Sequence, residues 1–411
     1  MNLAEELKAR GLIEHTSADP EKILSEKRTV YLGVDPSADS MHAGNLLVVL
    51  FMRRLAEAGH RIILLVGGGT GMIGDPRESG ERTLADKKLV DKNKKALKAQ
   101  MQLLVGVKVT LVDNADWLLK VKLVDFLRDI GKHFTVNELI KRDIIKRRIE
   151  DPNDSISYTE FAYSLLQGYD YLVLNKKYGV NLQIGASDQW TNILSGVELI
   201  RRKEAKEAFA ITCPLVTEAN GKKFGKSEGN AVWLDSKKTS PFQFYQFWLN
   251  QPDEMVGKYL KFYTFMSVFE IDALMELHKR NPGKREAQKM LALLVTEIVH
   301  GTEASKNVAV ASEALYGTTP LAEFSSEVLA TVRREVPSKN VAVGSSVADA
   351  LVIAELVKSK TEARKLITAG GVSVQGIVVE SPDATLEQAQ FAGGIALLRK
   401  GKQTALLCIE K

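Results

Sequence analysis

TVYLGVDPSADSMHAGNLL, residues 29–47, is the stretch from which the rest of the chain is organised. Thr29, Val30, Tyr31 and Leu32 suit a buried strand; Gly33, Asp35 and Pro36 break it, and His42-Ala43-Gly44-Asn45 leads into the apolar run 46–51, the opening of a helix. A loop feeding a helix N-terminus leaves backbone N–H groups unpaired and pointing outward, and a polyphosphate satisfies them. Gly44 lets a flat ring approach the backbone, and His42 supplies a hydrogen-bond donor for a phosphate oxygen.

Working outward, RIILLV at 61–66 is a continuous apolar run suited to a parallel strand covered on both faces, and it ends in GGGTGMIGDP, 67–76. Strand, helix, strand with glycine turns at the strand ends is the doubly wound, Rossmann-like α/β plan, whose ligands sit beyond the carboxyl ends of the strands. The glycine turn does not read as a dinucleotide fingerprint followed by a suitably spaced acid, which argues against NAD binding. Residues 1–27 and 82–104 read as helical, and 107–112, the stretch from Asn181 and 211–217 as further strands. The block 115–150 is helical and reads as an insertion. In SYTEFAYSLLQGYDYLVL, 157–174, Tyr163, Gln167 and Asp170 are four and three residues apart and share one helix face. A Tyr-Gln-Asp row suits the ammonium and hydroxyl groups of an amino acid.

The chain of 411 residues, 45% hydrophobic, should hold two to four domains. Cys213 and Cys408 sit in no CxxC pair, so neither a disulfide framework nor a zinc site is expected, consistent with a reducing cytoplasm. No apolar run approaches the ~20 residues of a membrane span and the first residues lack a signal h-region, so a soluble, unexported chain is expected. A net charge of +5 is compatible with nucleic acid without demanding it.

His42-Ala43-Gly44-Asn45 resembles the His-Ile-Gly-His signature of class I aminoacyl-tRNA synthetases, and Lys223-Phe224-Gly225-Lys226-Ser227 resembles their Lys-Met-Ser-Lys-Ser signature in the same chain order. The Phe-Gly centre looks like the bacterial tyrosyl-tRNA synthetases, and that resemblance spans essentially the whole chain. It implies a catalytic domain over 1–238 with an insertion at about 115–180 that supplies a dimer contact, a helical anticodon-binding domain at 239–317, a linker at 318–344 and an α+β S4-like RNA-binding domain at 345–411. Lys358, Lys360, Arg364 and Lys365 would form the basic face of the last. Residues 346–411 carry eight cationic and seven acidic side chains, so RNA affinity there must come from patch geometry.

The implied reaction joins the carboxylate of L-tyrosine to the α-phosphate of ATP, expels pyrophosphate, and passes tyrosyl to tRNA(Tyr). The nucleophile is the substrate itself, so the protein has to position reactants and stabilise charge. The resemblance assigns His42, Asn45, Ser37, Lys223, Lys226, Ser227 and Arg82 to this work. It assigns Gly33, Asp35, Gly44, Asp188 and Gln189, with His42, Asn45 and Lys226, to ATP. Tyr31 and Asp170 map onto the pair that bonds a phenolic hydroxyl, Asp75, Tyr163 and Gln167 onto the group holding the α-ammonium, and Gln183 also onto the tyrosine site. Mg²⁺ is expected to arrive with ATP, without a dedicated protein site. The chain departs from the family pattern at Leu32 and Ala186, and in the loop 77–82, where the usual lysine is absent and Arg77 is a candidate substitute. Tryptophanyl specificity, an RNA-binding protein that has lost catalysis, and generic nucleotidyl transfer are the competing readings.

Overall fold

The β-branched and apolar run of residues 29–34 does form a strand, and the rest of the first sheet is laid against it. The computed structural model describes residues 1–76, 80, 86–216, 224, 226–227, 230–317, 319–401 and 403–410, apart from the side chains of residues 143, 226, 227 and 230. The strands of this sheet are β1 (His15–Thr16), β2 (Thr29–Val34), β3 (Arg61–Val66), β4 (Thr110–Asp113), β5 (Leu182–Ala186) and β6 (Phe209–Cys213). They lie in the order β1-β6-β5-β2-β3-β4, parallel except for β1, which pairs antiparallel with the edge of β6. The chain builds outward from β2 through β3 to β4, then returns to lay β5 on the other side of β2. The topological switch point, and the crevice it opens, therefore lies at β2 and β5.

The helix Ala43–Glu57 buries Leu46, Leu47, Val49, Leu50, Phe51, Met52 and Leu55, an almost continuous apolar surface. Each such side chain stabilises the fold by about 1.5–3 kcal/mol on burial. The helix Lys87–Val105 braces the loop ahead of it: Asn93 Nδ2 donates to the Pro36 carbonyl at 3.0 Å, and Gln100 Oε1 accepts from the Met41 N–H at 2.8 Å. Between β4 and β5 the insertion is broken into the short helices Ala115–Leu118, Leu123–Asp129, Val136–Leu139, Asp143–Glu150 and Tyr158–Phe161 before the long helix Tyr163–Tyr178.

Several expected boundaries differ. The first 27 residues contain β1 between the helices Leu3–Ala9 and Pro20–Leu24, because His15 and Thr16 find the open edge of β6. The last strand spans 209–213 instead of 211–217, and part of the loop that follows forms the ladder β7 (Lys226–Ser227) with β8 (Asn230–Ala231).

By internal contacts Met1–Asp235 groups with Gly257–Leu277, and Ser236–Val256 with His278–Lys411. This division runs differently from the expected boundaries at 238 and 344. In the second unit, helix Pro241–Leu249 lies on Glu286–His300 and Thr302–Tyr316, with Phe244 edge-on to His300 at 4.9 Å and Gln246 Nε2 donating to Ser312 Oγ at 2.8 Å. The stretch expected as a linker instead holds the helix Ser326–Glu335, capped by Ser325 and burying Leu329 and Val332, and β9 (Ser338–Val341). Two buried positions a helical turn apart were too few to stand out as a period. With β10 (Val372–Val374), β11 (Ile377–Val378), β12 (Ile395–Lys400) and β13 (Gln403–Ile409), β9 completes a sheet in the order β11-β10-β12-β13-β9. The helices Val347–Ile353 and Lys360–Thr368 share a core with it through Leu351, Ala363, Ile367, Leu398 and Leu407.

Candidate active site

The crevice at the switch point is floored by Tyr31 on β2 and Gln183 beside it in register on β5. Tyr31 is 1% exposed and meets the ring of Tyr171 edge-on at 5.2 Å. Burial pushes the Tyr31 hydroxyl well above its ordinary range, and the charge of Asp170 adds to this. The Gln183 side chain acts in the opposite direction. Neither Tyr31 Oη nor Gln183 Oε1 makes a well-formed hydrogen bond among the described residues.

Asp170, on the helix Tyr163–Tyr178, is 2% exposed. Its Oδ1 accepts from Trp117 Nε1 at 2.7 Å and its Oδ2 from Asn114 Nδ2 at 2.9 Å. Burial pushes its carboxyl up to about 8 against the pull of those two donors, and the charges of Asp35 and Asp113 add to the rise. Its orientation is thus fixed from behind, leaving further lone pairs for a hydroxyl ligand. Asn114 also donates to Thr70 Oγ1 at 2.8 Å, Thr70 Oγ1 to Asp35 Oδ1 at 2.7 Å, and Tyr163 Oη to Asp35 Oδ2 at 2.8 Å. One network thereby joins Asp170 to Tyr163 through Asp35, a residue the sequence placed with ATP.

The turn after β3 fits this network only because it is glycine. A Cβ on Gly67 would stand 2.0 Å from Asp35 Oδ1, and one on Gly68 2.3 Å from Asp113 Oδ1.

Asp75, half-buried, accepts from Gln189 Nε2 at 2.8 Å on Oδ2 and from Asn192 Nδ2 at 3.0 Å on Oδ1. Burial pushes its carboxyl up to about 6, the two amides pull it down, and Asp35 and Asp188 push it further up. Gln167 sits half-buried on the helix between Tyr163 and Asp170. The expected shared face of those three residues is therefore realised.

His42 is the N-cap of the helix Ala43–Glu57: its Nδ1 accepts from the Gly44 N–H at 3.1 Å, and Asn45 Oδ1 accepts from the His42 N–H at 3.2 Å. With Nδ1 accepting, the neutral ring carries its proton on Nε2, as a donor. Asn45, expected at the ribose, gives its side-chain oxygen to this cap. Gly44 faces the chain: a Cβ there would meet the Phe224 carbonyl oxygen at 2.8 Å. Phe224 is buried between Tyr259 and Tyr263, with centroids 4.9 and 5.9 Å away, and the Ala43 N–H donates to the Val232 carbonyl at 2.8 Å. The two signature motifs are thus neighbours in space.

Gly33, Ser37 and Asp188 are exposed around this end of the sheet, and Gln189 is half-buried. Ala186 closes β5, and Leu32 is 2% exposed within β2. Arg77, Arg82, Lys223 and Gly225 lie outside the described residues, as do the side chains of Lys226 and Ser227. Of the four cations expected to contact RNA, Lys360 pairs with Asp349 at 2.5 Å and Arg364 with Asp383 at 2.9 Å. Lys358 and Lys365 are exposed and make no ion pair among the described residues.

Sequence reasoning missed Asn114, Trp117, Thr70 and Asn192. Asn114 had one available signal: it directly follows β4, where parallel strands deliver side chains to a ligand.

The sheet switches beside a helix whose N-cap is a histidine, and residues 24–317 match the family described as tRNA synthetases class I (W and Y), which makes the chain a class I aminoacyl-tRNA synthetase. Residues 328–408 match the C-terminal domain described as tyrosine–tRNA ligase SYY-like. A tyrosine–tRNA ligase of Leifsonia xyli is 46% identical over 98% of this chain and 93% of its own, and one from Anaeromyxobacter dehalogenans is 44% identical over 99% of both. Among solved structures, a C-terminally truncated mitochondrial tyrosyl-tRNA synthetase of Aspergillus nidulans superposes with a TM-score of 0.67 at 30% identity, covering 75% of this chain and 93% of that one. The chain belongs to the tyrosine–tRNA ligases, a family of aminoacyl-tRNA synthetases. No described helix is long and apolar enough to cross a membrane.

Proposed function

We propose that this chain activates L-tyrosine with MgATP in the crevice between β2, β5 and the helix Tyr163–Tyr178, and then passes tyrosyl to the 3′ end of tRNA(Tyr). The observation that carries the reading is the buried, unsatisfied Tyr31 hydroxyl and Gln183 oxygen beside an Asp170 held in place by Asn114 and Trp117. A phenolic hydroxyl completes the hydrogen bonds of such a floor, whereas a phenyl ring leaves them unmade, at a cost of about 1–3 kcal/mol for each buried group.

Asp75, Tyr163 and Gln167 hold the α-ammonium, which turns the substrate carboxylate toward the helix that His42 caps. His42 Nε2–H donates to the phosphates as charge grows on them, and the helix N-terminus adds its unpaired N–H groups. Asp35, Gly33, Asp188, Gln189, Gly44 and Asn45 border the nucleotide, while Lys223, Lys226, Ser227, Arg82 and Ser37 attend the departing pyrophosphate. Mg²⁺ enters as part of the nucleotide substrate, and among the described residues no group of three or more His, Cys, Asp or Glu side chains gathers to hold a metal.

The helices of 239–317 and the small domain 345–411 take the tRNA, with Lys358, Lys360, Arg364 and Lys365 at phosphates. The enzyme works as a homodimer in the cytoplasm, and the exposed apolar residues Leu119, Leu123, Val124 and Val136 of the insertion support the dimer.

ATP–pyrophosphate exchange with each of the twenty amino acids tests the assignment. Exchange is expected with tyrosine, and Asp170→Ala should cut the kcat/KM preference for tyrosine over phenylalanine by about 10- to 100-fold. Exchange with tryptophan would move the chain to the sister specificity, and none at all from a folded protein that binds tRNA would leave an RNA-binding protein. An unchanged ratio in Asp170→Ala would remove Asp170 from the pocket.

A further inference from the structure

Arg142 lies in the insertion, between the helices Val136–Leu139 and Asp143–Glu150, yet its side chain ends at a different element. On the helix Trp190–Glu204 its Nη1 donates to Asn192 Oδ1 at 3.3 Å and its Nη2 to Ser195 Oγ at 2.6 Å. Asn192 in turn donates from Nδ2 to Asp75 Oδ1 at 3.0 Å. A guanidinium only donates and a carboxylate only accepts, so an amide between them has a single satisfying orientation. We propose that Arg142 and Asn192 form a positioning relay that holds the Asp75 carboxylate toward the α-ammonium of tyrosine, so that a residue of the insertion governs amino-acid recognition. This rests on the reading of Asp75 as the ammonium partner.

The surroundings give the relay its direction. Asn192 is 9% and Ser195 6% exposed, so water is poorly placed to replace the guanidinium. Ser195 Oγ donates its hydrogen bond to the Thr191 carbonyl at 3.1 Å, which leaves its lone pairs for Arg142. Gln189 donates to the other oxygen of Asp75 at 2.8 Å, and its Oε1 accepts from Asn192 Nδ2 at 3.3 Å. Both carboxylate oxygens are therefore held by amides that also hold each other, and Arg142 fixes the outer end. Without it the Asn192 amide is free to turn its oxygen toward Asp75, exchanging a donor for a repulsive contact. Burial pulls the Arg142 guanidinium down to about 10, while the charges of Asp75 and Glu138 favour its charged form.

A merely structural pin would weaken every ligand alike, so the test compares two that differ only in the ammonium. Dissociation constants are measured for tyrosine and for 3-(4-hydroxyphenyl)propionate with the full chain and with Arg142→Met, Arg142→Lys, Asn192→Leu and Asp75→Asn. Arg142→Met and Asn192→Leu should weaken tyrosine on the order of ten-fold while leaving the desamino ligand unchanged, and Arg142→Lys should recover part of the loss. Equal losses for both ligands, or an intact preference in Arg142→Met and Asn192→Leu alongside a lost one in Asp75→Asn, would overturn the relay. An intact preference in Asp75→Asn itself would instead overturn the ammonium reading, and the relay with it.

Discussion

Asp75 and Asp170 are both carboxyls pushed upward by burial, to about 6 and about 8. An ammonium needs the ionised form of Asp75. Because the proton leaves Asp75 of the free enzyme near pH 6, tyrosine binding should be full above that value and should weaken as the pH falls through it. Titrating the tyrosine dissociation constant between about pH 5 and pH 8 checks this: the acid limb should be present in the parent and absent in Asp75→Asn. A flat parent profile would show that Asp75 does not meet the ammonium. At this scale the sequence reached residues that share one helix, since Tyr163, Gln167 and Asp170 recur at helical spacing. It did not reach Asn114 and Trp117, which orient Asp170 from the far end of β4, because no local period relates positions 53 or more residues apart.

Among the elements, the strands of the first sheet and the helix Ala43–Glu57 were legible because continuous burial leaves continuous apolar runs. The glycines were legible only as turns. Their tighter meaning is close approach: a Cβ at Gly196 would stand 2.7 Å from Tyr171, whose ring backs Tyr31, so two helices meet closely where the pocket floor needs support. β1 escaped the reading because two residues that pair with an existing edge carry no alternation of their own. The helices of the insertion have a different peculiarity, in that Leu123 is 71% and Val124 72% exposed in the helix Leu123–Asp129. If this face joins two copies, Leu123→Asp combined with Val124→Asp should convert a dimer into a monomer in sedimentation equilibrium at micromolar concentration. A parent that sediments as a monomer, or a variant that remains a dimer, would place the contact elsewhere or nowhere.

For the whole molecule, the basic face of the C-terminal unit now divides in two. Lys360 and Arg364 already pair with carboxylates, whereas Lys358 and Lys365 do not among the described residues. Releasing counterions from RNA phosphates depends on cations that are not already neutralised. Replacing Lys358 and Lys365 by alanine should therefore flatten the salt dependence of tRNA binding more than replacing Lys360 and Arg364. Slopes unchanged from the parent in both double variants would remove this face from the RNA contact, and equally reduced slopes would show that the existing ion pairs do not matter.

The doubly wound plan, the two signature motifs, the helix face of Tyr163, Gln167 and Asp170, and the family could all be read along the chain. All of these are written in local periods or in residues adjacent along the chain. Folding alone brings Gly44 of one motif against Phe224 of the other, Asp35 to Tyr163, Asn114 and Trp117 to Asp170, and Arg142 to Asn192. The physical reason is common to all four. A parallel sheet gathers at one crevice the ends of strands distant in sequence, and the hydrogen bonds made there depend on which side chains the topology brings together, information that no single segment carries.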